Sequence, residues 1–230
     1  MAKVFDSEPG IVIVPNPDLK PEYARNLELS IRRSYASKAK IEITGFYTWL
    51  KNAIVVDKFQ LNGQDSIIYQ NIKSGVFAPQ NKAKAYIAGF SLNAAFAIAK
   101  NTSLDAVFTY TKGKYTNAGV TVPLDHVPPT YGRVALKHDN KIWLAEFYTL
   151  FNGWKLIADY NPNGEDNGQY ATIDGMPSWV TLNIRGAVKV GKNLSAQVLV
   201  ENLLDRNYRY FASGISAPGR NFVISLKTSF

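Results

Sequence analysis

The sequence contains no cysteine, which excludes a disulfide framework, a thiolate metal site and a cysteine nucleophile. Charged residues make up only 19% of the 230 residues, whereas aromatic residues make up 13%. Disordered chains have few aromatic and apolar residues, so this composition predicts a folded protein. Glycine and proline, with 16 and 11 residues, are too few for a collagen-like or low-complexity chain.

Long apolar segments are also missing. The best apolar runs, Ile11 to Val14 and Ala94 to Ala99, are far shorter than the roughly 20 residues of a membrane-spanning helix. The first ten residues, MAKVFDSEPG, contain no apolar stretch of signal-peptide length, so we expect no secretory signal in them. A helical membrane protein is therefore excluded. A transmembrane barrel is not, because each of its strands has only a weak alternating pattern.

Apolar and polar residues alternate along much of the chain, as in β-strands whose two sides face different surroundings. Between Ile41 and Trp49, the odd positions are apolar or glycine and the even positions are mostly polar. Several predicted strands are about twice the usual length in globular proteins, which suits a tilted strand crossing a bilayer. The pattern predicts about nine strands, near residues 22–34, 39–59, 83–99, 102–113, 130–138, 142–154, 178–190, 193–203 and 219–230.

Short and long connections alternate between these predicted strands. Outer-membrane barrels have short periplasmic turns and longer extracellular loops, so the alternation favours an all-β, antiparallel up-and-down transmembrane barrel. A soluble β-sandwich, some of which also collect their loops at one end, remains the alternative. The short turns are expected at 35–38, 100–101, 139–140 and 191–192, and the long loops at 60–82, 114–129, 155–177 and 204–218.

The polar sides of the predicted strands contain many charged and amide residues. Burying unpaired charges in a small dry core costs several kcal/mol each, whereas a wide, wet lumen accommodates them. The solvent-facing surface of a sandwich would accommodate them equally well. The residues concerned are Glu28, Arg32, Glu42, Asp105, Asn183, Arg185, Gln197 and Glu201.

The segment VENLLDRNYRYFASGISAPGRNFVISLKTSF, residues 200–230, resembles the C-terminus of a TonB-dependent outer-membrane receptor. The matching pieces are NLLD (202–205), Tyr208, Gly214, PGR (218–220) and an alternating last strand that ends in Phe230. Earlier segments resemble the same family in the same order. They are NPDLKPE (16–22), GFYTWLKNAI (45–54), YQN (69–71), PLDHVPPTYG (123–132) and GMPSWVTLNI (175–184).

The resemblance implies a barrel of about 22 strands with a plugged lumen. It also implies uptake of a siderophore-like or other scarce nutrient across the bacterial outer membrane, energised by an inner-membrane coupling complex. No plug domain or coupling box is recognisable, so residues 1–230 are expected to form the C-terminal part of such a barrel and not to transport alone. The implied partners are outer-membrane lipid, lipopolysaccharide, the barrel-assembly machinery and a small-molecule ligand.

Three sets of residues are candidates for specific roles in this interpretation. Ligand contacts in the long loops are predicted for Tyr115, Tyr160, Tyr170 and Arg206. The signal read by the barrel-assembly machinery is predicted at Phe222, Ile224, Leu226 and Phe230. Aromatic belts at the membrane interfaces are predicted to include Trp49, Trp143, Trp154 and Trp179.

Other kinds of site have weaker support, and no cofactor and no enzymatic activity are expected. His126 and His138 lie on different segments, which makes a poor metal site in a chain without cysteine. Asp125 beside His126 leaves open a small self-closed outer-membrane barrel that acts as an enzyme or adhesin. A soluble sandwich acting as a binding module is the remaining alternative.

The formal charge of +8 results from 26 Lys and Arg against 18 Asp and Glu. In the sequence these basic residues form no stripe with interleaved aromatic residues, so no nucleic-acid binding is predicted. Basic loops and a basic rim would instead meet anionic lipopolysaccharide, and a basic lumen would attract anionic ligands.

Overall fold

Nine long strands follow one another as an antiparallel meander in the computed structural model, which describes residues 6–8, 10–82, 84–117, 119–162, 164 and 166–228. The remaining elements are the strands of two smaller sheets, the four-residue strand Val120–Pro123 and two 3₁₀ turns, Ile157–Asp159 and Gly168–Tyr170. No helix of the described residues is long and apolar enough to cross a membrane. The strands are β1 Asp6–Glu8, β2 Ile11–Ile13, β3 Tyr23–Tyr35, β4 Ala39–Lys51, β5 Ala53–Lys58, β6 Ser66–Tyr69, β7 Ile72–Lys82, β8 Lys84–Ala99, β9 Thr102–Asn117, β10 Val120–Pro123, β11 Tyr131–Asp139, β12 Trp143–Asn152, β13 Lys155–Leu156, β14 Gly175–Met176, β15 Trp179–Val190, β16 Leu194–Glu201 and β17 Asn221–Thr228.

The main sheet confirms the predicted antiparallel up-and-down topology. Its strand order is β17-β16-β15-β12-β11-β9-β8-β4-β3, and the short β10 extends it on β9. The four predicted short turns are present between β3 and β4, β8 and β9, β11 and β12, and β15 and β16. All the long connections therefore lie at the opposite end of the sheet, which we call the long-loop end.

The prediction of a single strand over 39–59 is wrong. The backbone of Asn52 has a positive φ of 55°, which divides the segment into β4 of the main sheet and β5 of a second sheet. The side-chain amide of Asn81 holds this break by donating hydrogen bonds to the carbonyls of Asn52, at 2.8 Å, and Lys20, at 2.9 Å.

The prediction of a long loop over 60–82 is also wrong, because this segment contains β6 and β7. β7 pairs in parallel with β2 and antiparallel with β5 and β6. Its Val76 and Ala78 are buried against Val12 and Val14. These few apolar residues are interrupted by Gly75 and Pro79, so the sequence gives only a weak strand pattern there.

The two faces of the main sheet differ sharply in polarity. Residues directly opposite each other on neighbouring strands share a face, and the register places Leu29, Gly45 and Phe90 in one such row. On this face, the outer face, Leu27, Leu29 and Ile31 are 63%, 68% and 64% exposed. The eight charged and amide residues listed in the sequence analysis all lie on the other face, the inner face. An apolar outside and a polar inside are typical of a transmembrane barrel.

The main sheet is open at both edges. Among the described residues, β3 pairs only with β4 and β17 pairs only with β16. Every residue of β3 is exposed, so neither its backbone edge nor its faces are covered.

The tryptophans occupy three kinds of position. Trp49 and Trp143 lie on the outer face near opposite ends of the sheet and are 48% and 44% exposed, and Trp154 is 45% exposed in the long-loop region. The expectation of an interfacial position is wrong for Trp179. It begins β15 on the inner face, is 5% exposed, and packs against Tyr208 and Tyr210 at centroid distances of 4.4 and 5.2 Å.

The strand pairing brings basic and aromatic residues together that are separate in the sequence. The register places Arg25, Trp49, Tyr86 and Lys114 side by side on four adjacent strands of the outer face. These residues are far apart in sequence, and only the strand pairing brings them together.

Gly89 and Gly45 provide a matched test of packing in the sheet. A Cβ atom on Gly89 would clash with the backbone carbonyl oxygen of Tyr110 and would lie 2.7 Å from the ring of Phe46, its cross-strand partner, whereas a Cβ on Gly45 would meet nothing within 4 Å. We therefore expect Gly89→Ala to lower the free energy of unfolding by about 1–3 kcal/mol through overpacking, and Gly45→Ala not to lower it. Urea unfolding of the protein refolded in detergent micelles measures both, and equal midpoints would contradict the proposed packing constraint.

Candidate functional site

The inner face contains a buried glutamate held between two arginines. Glu146 on β12 is 5% exposed. Its carboxylate oxygens lie 2.9 Å from guanidinium nitrogens of both Arg133 on β11 and Arg185 on β15. Arg133 also stacks over the ring of Tyr148 at 4.4 Å. Glu201 lies near the same Tyr148 side chain, so the two arginines of this group are matched by two glutamates.

Asn202 fixes the long connection between β16 and β17. Its backbone has a φ of 50°, a conformation that asparagine tolerates better than most residues. Its backbone N–H donates to Asn183 Oδ1 at 3.0 Å, and its side-chain amide donates to the carbonyl of Arg206 at 2.9 Å. The backbone N–H of Arg206 donates in return to Asn202 Oδ1 at 2.9 Å.

Asp205 joins the two ends of the same connection. Its Oδ1 accepts a hydrogen bond from the backbone N–H of Arg220 at 2.7 Å, and Arg220 Nε donates to the carbonyl of Leu203 at 3.0 Å. The NLLD and PGR segments, which are distant in sequence, therefore form one clasp at the base of the loop. This clasp determines where Arg206, Tyr208 and Arg209 lie.

A buried lysine joins three of the long connections. Lys155 is 5% exposed, its Nζ donates to the carbonyl of Val127 at 2.6 Å, and it lies 4.8 Å from the ring centroid of Phe211. Burial lowers the pKa of the Lys155 ammonium, and the nearby Asp166, Asp159 and Asp125 oppose this effect. We call this region the lysine junction.

The carboxylate of Asp166 is also part of the lysine junction. It is 3% exposed and its Oδ1 accepts a hydrogen bond from the backbone N–H of His126 at 2.9 Å. Asn161 Nδ2 donates to Asp125 Oδ2 at 3.1 Å within the same region. Residues 124–127, 155–162, 166–167 and 211–212 are thus held in one arrangement.

A cleft of about 250 Å³ opens beside the clasp, between the start of β15 and the connection that precedes β17. Its walls include the aromatic rings of Tyr170, Trp179 and Tyr208 and the side chains of Arg206 and Arg209. Two arginines and no carboxylate line this cleft. Its other lining residues are Thr172, Met176, Pro177, Ser178, Asn207 and Ser216.

The two arginines of the cleft are held differently. Arg209 donates from a terminal nitrogen to the carbonyl of Tyr170 at 2.9 Å and lies 5.8 Å from the centroid of its ring. The guanidinium of Arg206 makes no hydrogen bond or ion pair with any residue that the structure describes. Burial raises the pKa of the Tyr208 phenol, as does its hydrogen bond with Tyr210, so it stays protonated at ordinary pH. Such a set of donors suits an anionic group attached to an aromatic or flat molecule.

Comparison with known families identifies the family to which the main sheet and its long connections belong. The family model described as "TonB dependent receptor-like, beta-barrel" matches residues 3–203. The chain belongs to the TonB-dependent receptor family. It is accordingly part of an outer-membrane β-barrel, whose long loops face the cell exterior and whose short turns face the periplasm.

The chain is also similar to proteins that are named for haemoglobin binding and for haem utilization. Haemoglobin and haemoglobin-haptoglobin-binding protein A of Haemophilus influenzae is 26% identical over 218 residues, which cover 87% of this chain and 19% of the relative. Haem/hemopexin utilization protein C of Haemophilus influenzae is 27% identical over 232 residues, covering 94% of this chain and 30% of the relative. The chain thus spans about a fifth to a third of the length of these curated relatives.

Solved structures show the same fold. The copper transporter OprC superposes with a TM-score of 0.75 at 19% identity, over 93% of this chain and 32% of OprC. The siderophore receptor PirA from Acinetobacter baumannii superposes with a TM-score of 0.69 at 23% identity, over 96% and 33% of the two chains.

The structure divides the four predicted ligand contacts of this receptor segment into two pairs. Tyr170 and Arg206 both line the cleft, and Tyr170 is 53% exposed. Tyr115 and Tyr160 are only 3% and 7% exposed. Tyr115 packs with Ala53, Val55 and Ala85, and Tyr160 lies in the lysine junction, so their rings contact protein in this structure.

The predicted assembly signal lies partly within the described residues. Phe222, Ile224 and Leu226 are on the outer face of β17 and are 68%, 76% and 71% exposed. Phe230 lies outside the described residues. The assembly role of all four stays a prediction.

Sequence reasoning missed Arg209, Trp179 and Lys155 as parts of the loop region. The alternation of arginine and tyrosine in RNYRY, residues 206–210, is a signal that could have indicated Arg209. No comparable signal exists for Lys155, because its partners Val127, Asp166 and Phe211 lie on three different loops.

Replacing Asn202 tests the clasp. We expect Asn202→Ala to accelerate amide hydrogen exchange across residues 203–219 by roughly tenfold or more, because buried hydrogen bonds worth about 1–3 kcal/mol each are lost. Asn207→Ala is the matched control, since the Asn207 side chain is exposed in the same connection and makes no hydrogen bond with the described residues. Equal exchange rates in the two variants would show that other contacts hold the loop.

Proposed function

We propose that this chain is the C-terminal part of an outer-membrane receptor that imports an anionic iron-carrying ligand, and that haem is the first candidate. In this proposal the nine long strands form part of the barrel wall, and the long loops contribute to the extracellular binding surface. The process is binding and transport and involves no covalent chemistry.

The observation that supports this proposal most directly is the composition of the cleft. It joins three aromatic rings to two arginines without a carboxylate, at the extracellular end of the main sheet. Haem is a flat aromatic molecule with two carboxylates, so rings and guanidinium groups match its two parts. At about 250 Å³, the cleft would contact one edge of such a ligand rather than enclose it.

The relatives favour haem over a siderophore as the ligand. Curated relatives at 26% and 27% identity are named for binding haemoglobin and for using haem and hemopexin. The siderophore receptors are structural neighbours at 23% identity or less, and such a likeness supports the fold alone. A ferric siderophore is nevertheless the second candidate, because many siderophores are also anionic.

Transport would require barrel strands and energy coupling from outside this segment. The open edges of β3 and β17 present unpaired backbone groups that lipid cannot satisfy. The 230 residues alone are therefore proposed not to transport. Within the whole receptor we propose energy input from an inner-membrane coupling complex, and recognition of β17 by the barrel-assembly machinery through Phe222, Ile224, Leu226 and Phe230.

Arg206 provides the sharpest test of ligand binding. We expect Arg206→Gln in the receptor that contains this chain to weaken haem binding about tenfold or more, because a hydrogen bond between two charged groups contributes about 1.5–3 kcal/mol. Absorbance titration of the purified receptor with haem gives the Kd. Growth of a haem-requiring strain at limiting haem gives the effect on uptake.

Lys192→Gln is the matched control, since it removes one positive charge from a periplasmic turn far from the cleft. An unchanged haem Kd in both Arg206→Gln and Arg209→Gln would contradict the role of the cleft. A loss of ferric-siderophore binding with haem binding intact would instead favour the second candidate.

A further inference from the structure

The outer face of the main sheet carries charge of only one sign. From the register, the charged side chains on the outer face of the nine long strands, as far as the structure describes them, are Arg25, Arg33, Lys51, Lys84, Lys112 and Lys114. The carboxylates of these strands lie on the inner face: Glu28, Glu42, Asp105, Asp139, Glu146 and Glu201. If the rim of this face needed only side chains that water solvates, it could contain both positive and negative charges.

Five of these six cations are gathered at the extracellular end of four adjacent strands, β3, β4, β8 and β9. In one row Arg25 is opposite Trp49, Trp49 is opposite Tyr86, and Tyr86 is opposite Lys114. The next row toward the membrane ends in Lys112, which is opposite Ala88. Since neighbouring strands lie roughly 4.8 Å apart, the row from Arg25 to Lys114 spans about 14 Å.

The charges of this row have no internal partner. None of the side chains of Arg25, Lys51, Lys84, Lys112 and Lys114 makes an ion pair or hydrogen bond with another residue in the described part of the chain. A pocket of about 200 Å³ lies beside Lys112, Lys114 and Trp154, and Asp159 is the one carboxylate that lines it. The row therefore presents most of its positive charge to the surroundings of the protein.

The surface directly below the row is apolar. Leu27, Tyr47 and Phe90 continue the same face toward the membrane centre, and Tyr47 stacks on Tyr86 at a centroid distance of 5.6 Å. Basic and aromatic residues above an apolar face match a lipid with a negatively charged headgroup and acyl chains. A soluble acidic protein would match the charges but not the apolar surface below them.

We propose that the row Arg25–Trp49–Tyr86–Lys114, with Lys51, Lys84 and Lys112 around it, binds the phosphorylated lipid A part of lipopolysaccharide. Lipopolysaccharide is the lipid of the outer leaflet, which is where the row lies. Its phosphates contact the basic side chains, and its acyl chains lie along Leu27, Tyr47 and Phe90. This site is separate from the cleft and does not depend on which ligand the receptor imports.

The test uses the receptor that contains this chain, purified from outer membranes in mild detergent. We expect the double variant Arg25→Gln, Lys114→Gln to retain lipid A at roughly a tenth or less of the wild-type amount, measured by mass spectrometry of lipid released from the protein. The control Arg33→Gln, Lys192→Gln removes the same charge from the periplasmic end and should retain the wild-type amount. Heat-modifiable gel mobility confirms that each variant is folded.

Re-addition of purified lipids tests which lipid binds to the row. Lipid A should rebind to wild-type receptor and control but not to the double variant, whereas phosphatidylglycerol should not displace it at equal concentration. Unchanged lipid A in the folded double variant, or equal displacement by phosphatidylglycerol, would overturn the proposal. A change in oligomeric state with lipid A unchanged would assign the row to contact between copies instead.

Discussion

The constraint on which the whole structure depends is that lipid offers no hydrogen bonds. A strand that crosses a bilayer must pair its backbone N–H and C=O groups with neighbouring strands, since each unpaired group costs several kcal/mol there. This requirement explains the uninterrupted pairing of β4 over twelve residues with β8, from Ala39 to Leu50. It also explains why side chains divide so strictly, with Leu29 and Phe90 on one face and Glu42 and Glu146 on the other.

Outside the membrane, water removes this constraint, and the long connections are ordered by buried polar side chains instead. Asn202 and Asp205 satisfy backbone groups of residues up to 16 positions away. Lys155 does the same for Val127. The residues that line the cleft are therefore positioned in two ways. Trp179 is positioned by β15 of the main sheet, whereas Arg206 and Tyr208 are positioned by the clasp in the loop.

The sequence predicts those strands in which apolar residues repeat at a regular period. Strands such as β3 and β15 were found almost to their ends because residues like Leu27 and Leu29 repeat every second position. It failed where the decisive contact is distant: the break at Asn52 depends on Asn81, and the strand β7 depends on Val12 and Val14. In the candidate site, residue type and loop position point to Tyr170 and Arg206, whose contact with a ligand stays a prediction, but the burial of Tyr115 depends on packing that no local pattern reveals.

The lysine junction has a consequence for the chemistry of the cell exterior. Surface loops rich in aspartate are commonly ordered by calcium, which binds oxygen ligands. Here one cation near Asp125, Asp159 and Asp166 is the ammonium group of Lys155 itself, which is covalently attached to one of the loops it holds. Chelators and dilution remove dissolved metal ions from a protein surface, but they cannot remove this one. The contribution of Lys155 to the order of the loops is thereby independent of the supply of divalent metals around the cell.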